Sequence, residues 1–572
     1  MWHTLSSFVR RYSLFLVLFL LFLAVFIFSG FFLHIYINHW TLVAAFVAYI
    51  FLAGVYTVAS HGTREKFLFL ALCALLTPLF FISGAALFGH TYDLSYDGQY
   101  YHETAVIALA DKWNPIYDRT FPLKTPQSSA EALDEGSPKI IWSIDASIYK
   151  LTHNIDSATV INLFIGLIAL VFAWDGLRTL GLKPKWALIL SVLVVFTTLF
   201  FQQLFSFMED SLSYDFLIIG IASIIHIKKG RDKLTYFLCL LISLIFLAGT
   251  KYSDLYIFLA LVSVTTYIIF SQKLYMLKMF KLVALAGLIC ALVTLSNPYI
   301  TNITRYHAID YPDNEKVIAD SLRATGVPAN IRTDSRLELF YYGIFSSAEN
   351  SNIQNPANYA HLKIPFTFTK LDIITEATDT SKLVGGYGVF FSGIFIVSGM
   401  AYVYLMTIKK SKHGKTAFTW LSVVLGLILI SCLLIPIPNY SRYNSQLDLL
   451  PVAIVVALLI IRRGSGRLGR ILAVFLTICI SLNIYFDAVP ALLFMQTDFS
   501  AINYQLSSLK RTDKTYLVHA NIFYSNYIEL ESYGIKTKIS TSQVTCKNPG
   551  SLLLSYSTEL CPPLKQTFVL SL

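Results

Sequence analysis

Charged side chains are scarce in this sequence. Only 14% of its 572 residues are Asp, Glu, Lys or Arg, whereas 55% are hydrophobic. Soluble proteins carry about 25% charged residues, so the composition excludes a soluble enzyme, and the same apolar content excludes an intrinsically disordered chain. The formal net charge of +10 would suit a nucleic-acid partner, but the positions of the basic residues explain it differently, as described below. We therefore expect no nucleic-acid partner.

Two sequence signals of transport proteins are also missing. The chain has no GxxxxGK[ST] segment, which excludes a nucleotide-driven motor. It shows no internal repeat of the kind found in inverted-topology transporters. Both absences favour a membrane protein with another task.

Cysteine is rare outside the apolar runs. Two of the seven cysteines lie outside these runs. They are Cys546 and Cys561, which flank a turn-like Asn548-Pro549-Gly550 near the C-terminus. An even count in an oxidising compartment predicts a disulfide between them; the alternative is two reduced thiols in a small buried core. Within the apolar runs a thiol serves as a small apolar side chain, and the residues concerned are Cys73, Cys239, Cys290, Cys432 and Cys479.

Long apolar runs dominate the sequence. A helix rises 1.5 Å per residue and the hydrocarbon layer is about 30 Å thick, so one span needs about 20 apolar residues. We predict an α-helical polytopic membrane protein with about 13 transmembrane helices. Several of the runs, notably 212–227, 281–296 and 446–461, are as short as re-entrant or tilted segments, so a count one or two away from 13 would also fit. The predicted spans are 13–37, 41–59, 66–89, 158–176, 185–204, 212–227, 234–250, 254–271, 281–296, 384–407, 416–436, 446–461 and 469–489.

Lys and Arg set the orientation of the spans. The first run follows Arg10 and Arg11, but it is too long for a signal peptide and no small-residue cleavage site follows Tyr36, so it is predicted to stay as the first span. With a cytoplasmic N-terminus, every inner connection is basic, as the positive-inside rule requires, and the C-terminus lies outside the cytoplasmic membrane. This orientation explains the net charge. The inner connections hold Arg64 and Lys66; Arg178, Lys183 and Lys185; Lys228, Lys229, Arg231 and Lys233; Lys273, Lys278 and Lys281; Lys409, Lys410, Lys412 and Lys415; and Arg462, Arg463, Arg467 and Arg470.

Three larger segments are then external: residues 90–157, residues 297–383 and the tail from 490 to 572. We expect residues 1–489 to form the membrane domain. The tail alternates apolar and polar residues over Thr515–His519 and Ile535–Ile539, which predicts strands. Residues 490–572 are therefore predicted to form a small external α/β cap.

The first external loop carries the most unusual polar residues. Asp97 and Gly98 form a turn signal, and Tyr100 and His102 follow directly. Asp97 is either a general base towards a sugar hydroxyl or a turn residue that caps the next helix. Asp93 has the same two interpretations, and His102 is either a hydrogen-bonded interface residue or a ligand. A divalent cation is compatible with two carboxylates and a histidine, but the spacing matches no zinc signature.

The same loop also predicts a helix in the membrane interface. Val106, Leu109, Ala110 and Trp113 recur at helical spacing, which predicts one apolar stripe lying flat in the interface. The apolar patch from Ile140 to Ile148 is expected to pack against the membrane as well.

Several segments of the chain resemble the GT-C superfamily of polytopic glycosyltransferases. The resemblance covers about residues 90–455, on external ends of spans and in a common order, and it does not include the tail. It implies a bacterial, polyprenyl-phosphate-sugar-dependent enzyme with an essential acidic residue in the first external loop. The similar segments are Ser95–His102 (SYDGQYYH), Trp113-Asn114-Pro115, Gln203–Asp210 (QLFSFMED), Lys251-Tyr252, Asn297-Pro298-Tyr299, Gly385-Gly386-Tyr387-Gly388, and Arg442-Tyr443 with Pro451.

Cations at the outer span ends are candidates for binding the donor phosphate. Lys251 and Arg442 lie where other Lys and Arg are scarce, and a cation at such a position marks function by default. The alternative is snorkelling to the interface. Arg305 and His307, at the start of the second large loop, are weaker candidates, and Tyr443 lies beside Arg442.

Glu209, Asp210 and Asp215 form an acidic cluster at an outer span end. These residues are candidates for orienting the acceptor sugar or for pairing with Lys251. The resemblance makes Asp210 the rival of Asp97 as base. The alternative is a solvated helix end.

These observations together predict an inverting glycosyltransferase. It transfers one sugar from a polyprenyl-phosphate donor to an envelope glycan, lipid or protein acceptor outside the cytoplasmic membrane. Asp97 is the predicted base, with Asp93 or Asp210 assisting or substituting. The alternatives are a lipid-linked polysaccharide polymerase or ligase, a flippase or transporter of lipid-linked glycans, and a non-catalytic scaffold.

Overall fold

The chain is almost entirely helical. The computed structural model describes residues 2–59, 63–123, 128–230, 232–271, 275–312, 326–348, 359–408, 412–461, 466–540, 549–553, 555 and 558–562. The α-helices are Trp2–Phe32, His39–Ala59, Thr63–Phe88, Glu103–Ala110, Ser128–Gly136, Ile140–Thr152, Val160–Thr179, Pro184–Val195, Thr198–Gln203, Asp210–Lys228, Lys233–Thr250, Leu255–Ser271, Met276–Cys290, Thr301–Tyr306, Arg336–Phe345, Lys370–Thr378, Phe391–Ile408, Lys412–Leu434, Leu449–Ile460, Gly466–Arg511 and Ser525–Ser532. Short π- or 3-10-helical segments are Gly98–His102, Asp156–Thr159, Tyr252–Asp254, Ala291–Ile300, Ala329–Ile331 and Arg442–Asp448.

The described part of the chain contains 11 helices long and apolar enough to cross a membrane. Two shorter apolar helices, Pro184–Val195 and Phe418–Leu434, match the predicted spans 185–204 and 416–436. The prediction of a polytopic helical membrane protein is therefore confirmed. The 11 segments are Arg10–Phe32, His39–Thr57, Phe69–Phe88, Asp156–Thr179, Asp210–Lys228, Lys233–Thr250, Tyr252–Ser271, Met276–Tyr306, Phe391–Ile408, Arg442–Ile460 and Gly466–Arg511.

The predicted span 185–204 is broken in two. Its helix ends at Val195, and Phe196 leaves the helical conformation at φ −86° and ψ 67°. Thr197 then caps a second helix, Thr198–Gln203, because its side chain accepts a hydrogen bond from the backbone N–H of Phe200. The break directs this short helix, with Gln202 and Gln203, towards the protein interior, where both side chains are buried.

The helix expected to lie flat in the membrane interface is instead enclosed by protein. All residues of Glu103–Ala110 are buried, including Glu103. The helix packs against Ile140–Thr152 and against the cap helix Ser525–Ser532, and Trp113 is 2% exposed. The apolar stripe was visible in the sequence, but the segments that cover its polar face come from distant parts of the chain.

The C-terminal part forms a small sheet on the end of the longest helix. The strands are β1 (Tyr516–His519), β2 (Thr537–Ile539), β3 (Gly550–Ser551) and β4 (Glu559–Cys561). Their order is β2-β1-β4-β3, with β1 parallel to β2 and β4 antiparallel to both of its neighbours. The helix Gly466–Arg511 has 46 residues and continues through the predicted domain boundary at 489. Its C-terminal part supplies Phe499, Ile502 and Leu506 to the core under the sheet.

The cap also contacts the loop that carries Asp97. The hydroxyl of Ser525 donates to the backbone carbonyl of Gln99 at 3.0 Å, and the amide of Asn526 donates to Gln99 Oε1 at 3.3 Å. The rings of Tyr96 and Phe523 meet edge to face with centroids 5.3 Å apart. The cap therefore supports the residues on both sides of Asp97.

The cysteines fall into the two predicted groups. The five cysteines of the apolar runs are free thiols. Cys561 is disulfide-bonded, but Cys546 lies outside the described residues, so the predicted pairing stays a prediction.

A buried charged cluster joins four helices near the N-terminus. Arg10 Nε and His226 Nε2 each lie 3.0 Å from Asp175 Oδ2, and the hydroxyl of Tyr236 donates to the same oxygen at 2.7 Å. Asp175 is 4% exposed. One carboxylate thus compensates several polar groups inside the bundle.

We expect Asp175→Ala to destabilise the protein. The substitution leaves the Tyr236 hydroxyl buried without its acceptor, which costs about 1–3 kcal/mol per buried polar group, and it removes the charged partner of Arg10. Thermal unfolding in detergent measures the effect. Asp111→Asn is the control, because its partner Lys150 and Asp111 itself are 32% and 51% exposed and exposed pairs contribute little. Equal unfolding temperatures for the two variants would contradict a structural role of the cluster.

Candidate active site

Two of the predicted residues form an ion pair between distant segments. Asp97 directly precedes the helical segment Gly98–His102, and Arg442 begins the segment Arg442–Asp448. Arg442 Nη2 donates to Asp97 Oδ2 at 2.6 Å, across 345 residues of sequence. The predicted base and a predicted phosphate ligand are therefore direct neighbours.

A second ion pair lies beside the first. Lys251 Nζ is 2.5 Å from Asp210 Oδ1, and the two side chains are 17% and 3% exposed. Gln203 Nε2 donates to the other oxygen, Asp210 Oδ2, at 2.9 Å. The expected pairing of the acidic cluster with Lys251 is present, and both oxygens of Asp210 are engaged.

Tyr443 connects the two pairs. Lys251 Nζ lies 4.2 Å from the centroid of its ring, and Arg442 Cζ lies 4.9 Å from it. Cations are attracted to the face of an aromatic ring at such distances. Asp97, Asp210, Lys251 and Arg442 together are called the charged quartet below.

The electrostatics keep the accessible members of the quartet charged. Burial is the largest influence on Asp97 and would raise its pKa, but the Arg442 guanidinium together with Lys251 and His102 brings the pKa below its ordinary value. Burial is also the largest influence on Lys251 and would lower its pKa, but the Asp210 carboxylate together with Tyr443 brings the pKa above its ordinary value. Asp97 therefore carries a negative charge at neutral pH while its side chain remains 21% exposed.

Asp93 has a different environment. Its Oδ1 accepts from the backbone N–H of Ser95 at 2.8 Å, and its Oδ2 accepts from the N–H of Phe207 at 2.8 Å and from Ser206 Oγ at 3.1 Å. Burial raises the pKa of this carboxyl to about 6. Asp93 thus ties the Asp97 loop to the segment before Asp210.

Gly98 lies directly over Asp93. A Cβ at Gly98 would collide with Asp93 Oδ2 and Ser95 Oγ. We expect Gly98→Ala to destabilise the loop by about 1–3 kcal/mol, as overpacking does, and to lower activity through Asp97. Gly287→Ala is the control, because no atom lies within 4 Å of its added Cβ. Unfolding temperatures of the two purified variants measure the difference, and an unchanged Gly98→Ala protein would contradict this packing.

His102 and Tyr100 are packed side chains. Trp142 Nε1 donates to His102 Nδ1 at 2.8 Å, and the ring of His102 stacks on Tyr101 at 4.1 Å. Burial lowers the pKa of His102 to about 3, so the ring is uncharged. Tyr100 is half-buried against Tyr96, with centroids 5.7 Å apart. The described residues contain no group of three His, Cys, Asp or Glu side chains placed to hold a metal ion.

Glu209 is a buried carboxyl beside the quartet. Its Oε1 has no hydrogen-bond partner among the described residues. Burial first, and then the neighbouring carboxylate of Asp145, raise its pKa well above the ordinary value. The environment of Glu209 thus favours its protonated form, in contrast to that of Asp97. Asp215 lies about two turns further along the chain. Both of its carboxylate oxygens are buried, and neither has a hydrogen-bond partner among the described residues.

Arg305 and His307 contact other parts of the chain. Arg305 Nη2 donates to the carbonyls of Ile116 at 2.8 Å and Pro115 at 3.3 Å. His307 is exposed at the C-terminal end of the helix Thr301–Tyr306. Arg305 thus holds the segment that follows Trp113, and the structure does not bring these two candidates to the quartet.

The sequence did not indicate every residue that shapes the site. Gln203 holds Asp210 and lies seven residues before it, within a segment that the resemblance had marked. The Gly385–Gly388 segment, which the resemblance also marked, is bonded to other parts of the protein. Gly385 N donates to the carbonyl of Gly343 at 2.9 Å, and Gly388 N donates to Glu376 Oε1 at 3.3 Å.

Comparisons with known proteins leave the family of this chain open. No family model and no curated protein matches it. Among solved structures, it is similar to the crystal structure of ArnT from Cupriavidus metallidurans bound to undecaprenyl phosphate, with 13% identity and a TM-score of 0.40 over 81% of this chain and 75% of that chain. A likeness this distant carries no conclusion about the activity of this chain.

Proposed function

We propose that this protein is an inverting glycosyltransferase of the GT-C type. It transfers one sugar from a polyprenyl-phosphate donor to an envelope glycan, lipid or protein acceptor at the outer face of the cytoplasmic membrane. The observation that carries the proposal is the charged quartet, in which two cations and two carboxylates from four separate segments meet at span ends. This arrangement supports a phosphate site next to a base.

Arg442 and Lys251 bind the donor phosphate in this proposal. An Arg guanidinium contacts two phosphate oxygens at once, and Lys adds a point charge. As the bond between the sugar carbon C1 and the phosphate oxygen breaks, negative charge accumulates on that oxygen. Preorganised cations stabilise this charge in the transition state.

Asp97 is the base in this proposal. The acceptor oxygen attacks C1 from the face opposite the phosphate, and its proton passes to the carboxylate of Asp97. When the donor phosphate binds the Arg442 guanidinium, the ion pair between Arg442 and Asp97 weakens. The affinity of the Asp97 carboxylate for a proton then rises. Asp97 thus becomes a stronger base only when the donor is bound.

The other carboxylates are less suited to this role. Asp210 is held by Lys251 and Gln203 on both oxygens, and Asp93 accepts hydrogen bonds on both oxygens as well. Burial raises the pKa of Glu209, which favours the protonated form that donates a hydrogen bond to an acceptor hydroxyl. We assign Asp210 and Asp93 to positioning and Glu209 to acceptor binding.

Mass spectrometry of envelope glycans and glycolipids tests the proposal in three strains. These are a deletion, its wild-type complement, and an Asp97→Asn complement at matched protein level. Loss of one sugar unit in the deletion, restored only by the wild type, would support transfer and identify the sugar by mass. Loss of whole chains would indicate a polymerase or ligase, and full restoration by Asp97→Asn would refute the base assignment.

A further inference from the structure

A buried polar cluster lies behind the charged quartet. It consists of Lys382, Glu376, Asp487 and Gln202, each no more than 1% exposed. Lys382 Nζ pairs with the carboxylate of Glu376, donates to the carbonyl of Glu376 at 2.7 Å and lies 3.8 Å from Asp487 Oδ1. The proposed reaction uses none of these groups.

One chain of hydrogen bonds, called the first arm of the cluster, leads towards Arg442. The carbonyl oxygen of Lys382 accepts from Ser441 N at 3.0 Å and from Ser441 Oγ at 3.1 Å. Ser441 directly precedes Arg442. A Cβ at Gly386 would collide with Ser441 Oγ and with the side chain of Lys382, so a glycine is needed for this close packing.

The backbone at Lys382 is strained in this arrangement. Its φ is +52°, in the left-handed region that favours glycine, where a non-glycine residue costs about 1 kcal/mol or more. Glycine there would satisfy the backbone but remove the ammonium group. The combination of strain and a buried charge indicates that both the carbonyl direction and the side chain of Lys382 are required.

A second arm of the cluster leads towards Asp210. Gln202 Nε2 donates to the carbonyl of Glu376 at 2.6 Å and to Asp487 Oδ1 at 2.8 Å. The next residue, Gln203, donates to Asp210 and also accepts from Ser211 N at 2.9 Å. The short helix Thr198–Gln203 thus links the cluster to the Asp210–Lys251 pair.

We infer that Lys382 is a positioning residue that fixes the separation of the two ion pairs of the charged quartet. It does so through Ser441 on one side and through Glu376 and Gln202 on the other. The inference deepens the proposed function, on which its catalytic meaning rests. Without the ammonium group the Glu376 carboxylate is buried and unpaired, which is strongly destabilising, so we expect both arms to shift.

Met208 provides a measurement that needs no substrate. Its sulfur lies 3.9 Å from Arg442 Nη1, and the sequence has only seven methionines. Labelling with [13C-methyl]methionine therefore gives few resonances, and Met208→Leu assigns the relevant one. The Met208 methyl resonance reports the position of the Arg442 guanidinium.

The test compares Lys382→Leu with Lys363→Leu in the full-length protein. Lys363 donates to the carbonyl of Val389 at 3.2 Å and takes no part in the cluster. We expect Lys382→Leu to move the Met208 resonance by more than its linewidth and to weaken undecaprenyl phosphate binding by about 10- to 100-fold, the usual effect of supporting residues. Lys382→Arg should restore part of both, and Lys363→Leu should change neither.

A second variant tests the same inference if Lys382→Leu does not fold. Gly386→Ala disturbs the contact between Lys382 and Ser441 without changing charge, and Gly399→Ala is its control, with no atom within 4 Å of the added Cβ. An unmoved Met208 resonance in a folded Lys382→Leu or Gly386→Ala protein would overturn the inference. Wild-type protein that does not bind undecaprenyl phosphate would instead refute the proposed function, and the Met208 result would still stand.

Discussion

Asp97→Asn is expected to lower sugar transfer by about two to four orders of magnitude, the usual contribution of a positioned general base. Asparagine keeps the size of the side chain and one oxygen that accepts from Arg442, so the loop should stay in place. The substitution removes the negative charge that accepts the proton. The measurement is the rate of product formation in membranes with matched amounts of protein, followed by mass spectrometry.

Two further variants make the result specific. Asp111→Asn lies on the same loop, at an exposed position, and should keep its activity within about twofold of the wild type. Asp210→Asn should lose activity because Lys251 loses a charged partner. A loss of less than tenfold in Asp97→Asn would remove the base assignment, and a larger loss in Asp210→Asn would transfer the role to Asp210.

Arg442→Gln is expected to lower kcat/KM by about 100-fold or more. A hydrogen bond to a charged group contributes about 1.5–3 kcal/mol, and the guanidinium contacts Asp97 and, in the proposed function, the donor phosphate as well. The variant should also change the dependence on pH. Because Arg442 is what keeps the pKa of Asp97 below its ordinary value, its removal lets burial raise that pKa. The acidic limb of the rate profile should therefore move to higher pH.

Arg442→Lys separates the two effects. Lysine keeps the positive charge but loses the planar fork that contacts two oxygens. Its activity should fall, while the acidic limb stays near that of the wild type. If the limb of Arg442→Gln also stays in place, Arg442 does not control the ionisation of Asp97.

The members of the charged quartet could be predicted from sequence because of where they stand. Lys251 and Arg442 are rare cations at span ends predicted to be external, and Asp97 and Asp210 are acidic residues predicted on the same side. Their pairing could not be predicted, since Asp97 and Arg442 are 345 residues apart. The sequence likewise could not separate Asp93 from Asp97, because only the fold engages both oxygens of Asp93.

Other features depend on contacts that no local pattern contains. The helix Glu103–Ala110 has an interfacial pattern, yet the cap covers its polar side. Lys382 lies in an ordinary polar stretch, and only the fold buries it between two carboxylates. The charge and the sequence position of Arg305 suit a phosphate ligand. Its guanidinium instead donates hydrogen bonds to the backbone carbonyls of Pro115 and Ile116. In each case the neighbours come from another part of the chain.

The helix Gly466–Arg511 is longer than the membrane requires. At 1.5 Å per residue, its 46 residues extend about 69 Å, more than twice the hydrocarbon thickness of about 30 Å. Its C-terminal part is built into the core under the sheet, and the cap contacts Gln99, two residues from Asp97. One continuous helix therefore carries both the last span and the core of the cap, and through the cap it reaches the Asp97 loop.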